Sequence, residues 1–241
     1  MVTQLLRSRA GRFMDIGCGV GYMAERLAKM GLTGLALDAS PEAVRVASQR
    51  LQSQGLSGVE VRQANLYDAG LPVEEADVVL FLEVLEHVED DMAALRRLRE
   101  LVRDGGFLVL SVPAHAKLWD ALDEWAGHVR RYERDELLAK LRQSGWEPIT
   151  AYNYGFPLIN LTRWPRALLY SRLGRKSKAA TQQEATLGSG LHGDGSVSRF
   201  KLPLTIYGRL ASLLQRPFLR TDLGEAYLVL ATKAPPVDSA P

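Results

Sequence analysis

The sequence predicts an α/β protein built on a doubly wound, largely parallel sheet, and three observations lead there. From Gly11 to about Tyr154, short apolar runs alternate with segments of helical period, the pattern of strands covered by helices on both faces. One of those strands runs straight into a glycine-rich loop that opens a helix, Met14-Asp15-Ile16-Gly17-Cys18-Gly19-Val20-Gly21. The composition, 46% hydrophobic and 24% charged, is that of a chain able to bury a sizeable core. At 241 residues, against the usual ~150 per domain, one large domain with an elaboration is expected.

Arg12 to Ile16 reads as the first buried strand and Gly21 to Met30 as a helix stopped by Gly31. Thr33 to Leu37 is the second strand. Ser40 then supplies an N-cap oxygen, and Pro41 sits where a missing N–H costs nothing. The next helix therefore starts there and buries Val44, Ala47 and Leu51. Val59 to Gln63 and Ala76 to Phe81 are the third and fourth strands. Asp90 or Asp91 caps a helix whose inner stripe is Leu95, Leu98 and Val102 and which Gly105-Gly106 end. Phe107 to Val112, the most continuous β-branched and apolar run, is a central strand closed by Pro113. Glu133 to Gln143 forms a helix with Leu137, Leu138 and Leu141 inward, and Gly145 leads into a strand from Trp146 to Asn153.

After Tyr154 the alternation stops. Pro157 to Leu173 reads as a helix kinked near Pro165, and Arg175 to Ser198, poor in residues to bury, as a mobile linker. Leu204 to Leu214 resumes a helix, and Glu225 to Thr232 is a last strand that can rejoin the sheet. The expected organisation is thus a core over residues 1–154, a helical insertion over 155–221 with its linker at 175–198, a returning strand within 222–234 and a tail over 235–241.

No stretch approaches the ~18 consecutive apolar residues of a spanning helix, and Met1 to Arg9 lacks the apolar block of a secretory signal. Cys18 is the only cysteine, which excludes an intrachain disulfide; a cytoplasmic protein is expected. The net charge of +2 hides an uneven distribution, because Arg163 to Arg220 carries eleven Lys or Arg against Glu184 and Asp194. Such a stretch can meet an anionic acceptor, an anionic membrane surface or nucleic acid, or can be an ordinary solvated face.

Glycines at 17, 19 and 21 let backbone approach a ligand that any Cβ would repel, while the helix start offers N–H groups. Asp38, at the end of the second strand, is placed to accept from ribose hydroxyls. The spacing is Gly-x-Gly-x-Gly, so the diphosphate-cradling Gly-x-Gly-x-x-Gly is not matched. Asp15 is an awkward neighbour for a diphosphate but a sensible one for an amino group or a positive charge. A nucleoside bearing positive charge is the ligand this loop suits, although tight strand-to-helix turns also use glycine without binding anything.

With Leu82-Glu83-Val84-Leu85-Glu86-His87-Val88 after the fourth strand, the chain from Phe13 to about Tyr154 resembles the class I S-adenosylmethionine-dependent methyltransferases. The resemblance implies a Rossmann-like sheet of strand order 3-2-1-4-5-7-6 with an antiparallel last strand. It also implies that Asp15, Gly17, Gly19 and Gly21 line the methionine side of S-adenosylmethionine, that Asp38 takes the ribose, that Ala39, Asn65 and Leu66 flank the adenine, and that Glu83 is a further cofactor-binding residue. At Asn65 the family usually has an acidic residue; an amide oxygen can still accept from an amino group.

Glu83, Glu86 and His87 share one face of a helical turn. Some relatives, among them ubiquinone-pathway O-methyltransferases and small-RNA 2′-O-methyltransferases, use such a group with a later histidine, here His128, to hold a divalent ion. The alternative, and the preferred one on residues alone, is that Glu86 and His87 cap and pack a short helix without metal. Ser111 to His115 and Gly127 to Tyr132 resemble the segment after the fifth strand in a bacterial small-molecule subset. Either His115 or His128 can serve as base for a hydroxyl nucleophile, or as a structural hydrogen-bonder. Trp119, Trp125 and Tyr132 either wall the acceptor pocket or pack the loop onto the sheet.

The expected activity is methyl transfer from S-adenosylmethionine to a small, apolar or lipid-like molecule, at oxygen in preference to nitrogen or carbon. The insertion is expected to cover the acceptor side or lean on an anionic membrane. RNA 2′-O-methylation and a non-catalytic cofactor-fold platform are the alternatives; no RNA-binding module is visible. Many relatives carry an N-terminal helical lid, whereas here the first strand begins about a dozen residues in, so the lid is absent or the chain starts late.

Overall fold

The computed structural model describes residues 1–6, 11–73, 75–163, 165, 168 and 210–234. Seven strands, β1 (Arg12–Ile16), β2 (Thr33–Asp38), β3 (Val59–Gln63), β4 (Ala76–Leu82), β5 (Val102–Pro113), β6 (Trp146–Tyr154) and β7 (Ala226–Lys233), form one sheet in the order β3-β2-β1-β4-β5-β7-β6. β7 pairs antiparallel with both β5 and β6, and the remaining pairs are parallel. The carboxyl ends of β1, β2, β4 and β5 therefore gather on one edge, where open α/β sheets bind ligands.

The α-helices whose bounds are described are α1 (Val2–Leu5), α2 (Tyr22–Ala28), α3 (Pro41–Ser53), α4 (Asp91–Leu101), α5 (Ala121–Ala126) and α6 (Arg134–Gln143). The sheet separates two apolar clusters. One packs Leu6, Ala24, Leu27 and Leu51 from the α1, α2 and α3 side onto Phe13, Leu80 and Leu230. The other packs Leu95, Leu98, Leu137 and Leu141 from α4 and α6 onto Phe81, Leu110 and Trp146. Each such side chain, fully buried, contributes about 1.5–3 kcal/mol, and the two layers hold the strand ends in fixed register.

Local chemistry sets the elements that carry the site. Ser40 Oγ accepts from Ala43 N at 3.3 Å ahead of Pro41, so α3 begins where an N-cap and a first-turn proline place it. Its buried stripe is Ala43, Ala47 and Leu51; Val44, expected inward, is only half-buried. Asp90 caps α4 through Ala93 N, while Asp91 turns inward to Lys140 and Arg130.

Two boundaries differ from the sequence reading. α4 ends at Leu101 and Val102 already pairs with Ala76 in β5, so Gly105-Gly106 lie inside the strand's irregular start and do not end the helix. A Cβ on Gly106 would meet Val102 and the Asp77 carbonyl, so the glycine there serves a crowded strand crossing. α5 has no counterpart in the expected elements; a reciprocal Asp120–Asp123 capping box starts it.

Residues 158–163 are helical, as are 210–214. The remainder of the expected kinked helix with Trp164 and Tyr170, the linker at 175–198, the first part of the helix from Leu204 and the tail at 235–241 lie outside the described residues. Most of the basic stretch lies there too. Among the described residues, no helix is long and apolar enough to cross a membrane.

Candidate functional site

Four segments meet at the carboxyl edge of the sheet, where the donor is expected: the end of β1, the glycine loop, the end of β2 and the residues after β4. The amides of Gly17 and Cys18 both donate to Leu37 O at 2.8 Å, which lays the loop against β2. Asp38 then reaches back: its Oδ2 accepts from Gly19 N at 2.8 Å and its Oδ1 from Ser40 N at 2.9 Å. The carboxylate at the end of the second strand and the glycine loop thus form one unit. Gly17 has φ +74, and a Cβ there would lie 2.4 Å from Val84 Cγ2. Gly21, at φ +79, would meet Ala47. These two glycines are thus required by the protein's own packing as well as by any ligand.

Asp15 lies beneath the loop, 2% exposed, with Oδ2 lacking any hydrogen-bond partner. Burial, and then the nearby charge of Asp38, push its carboxyl up to about 7, with the Ala24 amide working against them. Two carboxylates converging under a loop of backbone amides suit a ligand that brings positive charge of its own.

The adenine-side candidates behave differently. Ala39 is exposed, and its carbonyl accepts from Gln63 Nε2 at 3.3 Å. Asn65 is exposed, and its Oδ1 accepts from Tyr67 N at 2.8 Å in an Asx turn that Asp68 closes through Asn65 N. The Leu66 side chain is 5% exposed and belongs to the core.

Glu83 has φ +56, a left-handed conformation uncommon for a long side chain. Its Oε1 accepts from Ser111 Oγ at 2.6 Å and from Tyr154 Oη at 3.1 Å. Ser111, Tyr154 and Leu82 in turn floor a cavity of about 330 Å³ walled by Met1, Val2 and Met23, with Ser212 and Gln215 from the far side of the insertion. Glu83 thus ties together Ser111 and Tyr154, two of the residues that line this open cavity.

Glu86, three residues on, is 0% exposed, and neither of its carboxylate oxygens has a hydrogen-bond partner. It caps nothing in the short 3-10 turn at Leu85–His87, but it is packed inside, as the metal-free reading also expects. One donor atom each from Glu86, His87 and His128 lie within 4.8 Å of one another. His87 directs Nδ1 at Gly127 O (3.2 Å) and His128 directs Nδ1 at Asp123 Oδ1 (2.8 Å). A carbonyl and a carboxylate only accept, so both rings carry a proton on Nδ1. Burial, then the neighbouring His128, hold His87 down to about 4, opposed by the Gly127 carbonyl; it is neutral at pH 7. Burial, then Glu83, raise the Glu86 carboxyl well above the ordinary range. Glu86, whose two carboxyl oxygens lack hydrogen-bond partners, and the two imidazoles together are a set of atoms that could hold a borderline divalent ion. Glu83, the fourth expected ligand, is not part of this group.

His115 lies elsewhere. Its Nδ1 meets Glu133 Oε2 at 3.1 Å, its ring stands edge-on to Tyr227 at 5.7 Å, and its Nε2 is buried without a hydrogen bond, 4.0 Å from Asp222 Oδ1. Tyr132 is fully buried and bonds Asp91 Oδ2 and Leu85 O, so it packs the loop onto the sheet and walls no pocket. Trp119 is 38% exposed and Trp125 half-buried. The residues that sequence reasoning missed are Asp123, Ser111 as a hydroxyl, Tyr154, Glu133 and Asp222. Asp123 sits five positions before His128, the one local signal; Tyr154 is 71 residues from the Glu83 it bonds, and no spacing rule reaches that far.

Residues 14–110 match the family described as a methyltransferase domain. A ubiquinone biosynthesis O-methyltransferase of Cereibacter sphaeroides is 39% identical over 100 residues, 42% of this chain and 40% of that protein. One of Roseobacter denitrificans is 30% identical over 165 residues, 62% of this chain and 65% of that protein. The chain thus spans from about two fifths to just under two thirds of the length of these relatives. A phosphoethanolamine N-methyltransferase 2 of Haemonchus contortus, solved in complex with S-adenosyl-L-methionine, superposes with a TM-score of 0.60 at 18% identity, covering 97% of this chain and 52% of that one; this likeness concerns the fold. The strand order and the glycine loop joined to Asp38 are those that the resemblance to class I S-adenosylmethionine-dependent methyltransferases implies, and residues 14–110 of this chain match the methyltransferase-domain family.

Proposed function

We propose that the protein transfers the methyl group of S-adenosylmethionine to an oxygen of a small, largely apolar molecule, with Asp15, Gly17, Gly19, Gly21, Asp38 and Glu83 binding the donor. The observation that carries this reading is the Asp38–Gly19 contact over a buried Asp15 whose Oδ2 has no hydrogen-bond partner. Asp38 exchanges its bond to a backbone amide for ribose hydroxyls, and Asp15 gains a cationic neighbour. Ala39, Asn65 and Leu66 border the adenine through backbone and loop surface, since the Asn65 amide is occupied by its turn. The relatives are named as O-methyltransferases, which favours oxygen and disfavours the RNA and non-catalytic readings.

The acceptor occupies the cavity of about 330 Å³, near the lower end of the ~300–1,000 Å³ range for small-molecule sites. Its apolar walls take the body of the molecule, and the Glu83–Ser111–Tyr154 group meets its hydroxyl. Bound S-adenosylmethionine supplies an electrophilic methyl group whose sulfur leaves as a neutral thioether, so the protein's task is alignment and removal of one proton. Glu86, His87 and His128 would hold a divalent cation, which supplies positive charge to lower the pKa of a hydroxyl beside it. We assign His128 to holding the cation and leave His115 a structural tie, because His115 is enclosed by Glu133, Tyr227 and Asp222.

Calorimetry with S-adenosylmethionine tests the donor site: wild type binds and Asp38→Ala binds much more weakly. Equal heats would overturn it. Methylation of a panel of alkyl-substituted phenols and catechols, with and without a chelator, tests the acceptor and cation assignments; His128→Ala is expected to lose more activity than His115→Ala. Exposed Leu161, Leu210, Leu213 and Leu214 beside Arg216 and Arg220 favour a peripheral contact with anionic lipid. Co-sedimentation with phosphatidylglycerol but not phosphatidylcholine vesicles checks it.

A further inference from the structure

Asp123 is fully buried, five residues before His128, and its two carboxylate oxygens are divided between two tasks. Oδ2 accepts from Asp120 N at 2.9 Å and completes the cap of α5. Oδ1 accepts from His128 Nδ1 at 2.8 Å and from Arg131 Nε at 2.8 Å. Arg131 is itself anchored to Ala114 O at the end of β5, so the carboxylate is tied to the sheet through a second residue. Gly127, in a left-handed conformation at the end of α5, turns the chain so that His128 follows, and Val129 N then donates to Glu86 O. The six-residue α5 has no large buried side chain of its own; Asp123 and Ala126 are its buried residues. Its evident work is to deliver one carboxylate and one imidazole.

From this geometry we infer that Asp123 is the positioning residue of the site: it fixes His128 as the Nδ1–H tautomer and aims Nε2 at Glu86 and His87. The inference rests on reading Glu86, His87 and His128 as a cation site. His128 Nε2 stands 3.8 Å from Glu86 Oε1, and the His87 and His128 rings meet edge to face at 4.8 Å, so rotating or flipping the His128 ring would break the convergence. A carboxylate behind a ligating imidazole orients the ring and raises its basicity, and loss of such a partner commonly weakens metal binding about 10–100-fold. Asp123 would touch neither cation nor acceptor and would act only through His128.

The test uses the full chain and Mn²⁺ as the probe, followed by electron paramagnetic resonance, with ¹⁵N-labelled histidine spectra of the cation-free protein. Wild type is expected to bind one Mn²⁺ and to show His128 protonated at Nδ1 only. Asp123→Asn should weaken Mn²⁺ by about 10–100-fold while S-adenosylmethionine affinity, read by calorimetry, is unchanged. Asp120→Ala, which removes the cap but leaves Oδ1 alone, should lower the melting temperature and leave Mn²⁺ affinity intact. Mn²⁺ binding equal in wild type and Asp123→Asn overturns the inference, as does a His128 proton on Nε2. If wild type binds S-adenosylmethionine but no Mn²⁺, the cation reading fails, and the tautomer decides the positioning role by itself. The same spectrum decides if Asp123→Asn does not fold.

Discussion

The two halves of the sheet edge build their sites by different means. On the proposed donor half, all but Glu83, Asn65 and Leu66 lies between Asp15 and Ser40: a strand, a loop, a helix and a second strand whose terminal carboxylate returns to the loop. On the acceptor half, Glu83 is held by Ser111 and Tyr154, and Glu86 and His87 face His128. Those partners come from three other segments of the chain. The donor half is therefore a local structure that packing confirms, whereas the acceptor half exists only once the strand order has brought distant residues together.

The largest effect expected is at Asp15, where the donor half stores an unfavourable charge. Its folded carboxyl titrates at about 7 against 3.8 in the unfolded chain, a difference worth roughly 4 kcal/mol. The ionised form weakens the unliganded fold. That penalty is absent below pH 3.8, grows as the pH rises to about 7 and is constant above it. Asp15→Asn should therefore be more stable than wild type at pH 8, with the gain shrinking towards pH 4, while it binds S-adenosylmethionine more weakly. Urea melts at the two pH values check the first half, calorimetry the second. An Asn variant no more stable at pH 8 would break the contrast between the halves.

Gly17→Ala comes next, at about 3 kcal/mol, because it combines a left-handed backbone with overlap onto Val84. Adding Val84→Ala should return part of the lost melting temperature by removing the overlap and leaving the backbone strain. Asp38→Ala should cost about 2 kcal/mol of S-adenosylmethionine binding, near thirtyfold, and also lower the melting temperature, because Gly19 N and Ser40 N lose their acceptor. On the acceptor half Tyr154→Phe is the mildest, about 1 kcal/mol, since Glu83 keeps the Ser111 bond. It should raise the acceptor KM and spare donor affinity; a fall in donor affinity instead would place Tyr154 with the donor half.

How far the sequence could be read follows the same division. β1, β3 and the start of α3 follow directly from apolar runs, an N-cap serine and a proline. The glycine loop and Asp38 were legible because their spacing is a local property of one strand-loop-helix-strand unit. Glu86 was legible as a residue but not as a role, since whether it caps a turn or stands unpartnered depends on what packs over it. Gly105-Gly106 were misread as a helix stop because the crossing of β4 and β5 that crowds Gly106 is invisible in one segment. Tyr132, an aromatic in a loop, was equally open to pocket and core until Asp91 and the Leu85 carbonyl fixed its hydroxyl.

By itself, the amino-acid order determined the fold class, the strand elements and the donor loop, because these depend on periodicity and on contacts a few residues long. Only the tertiary structure decided which carboxylate and which imidazole meet, which glycines are forced by neighbours and which histidine is enclosed. The reason is physical: burial and hydrogen-bond competition are set by whatever surface folds over a side chain, and for Glu86, His128 and Tyr154 that surface comes from residues tens of positions away.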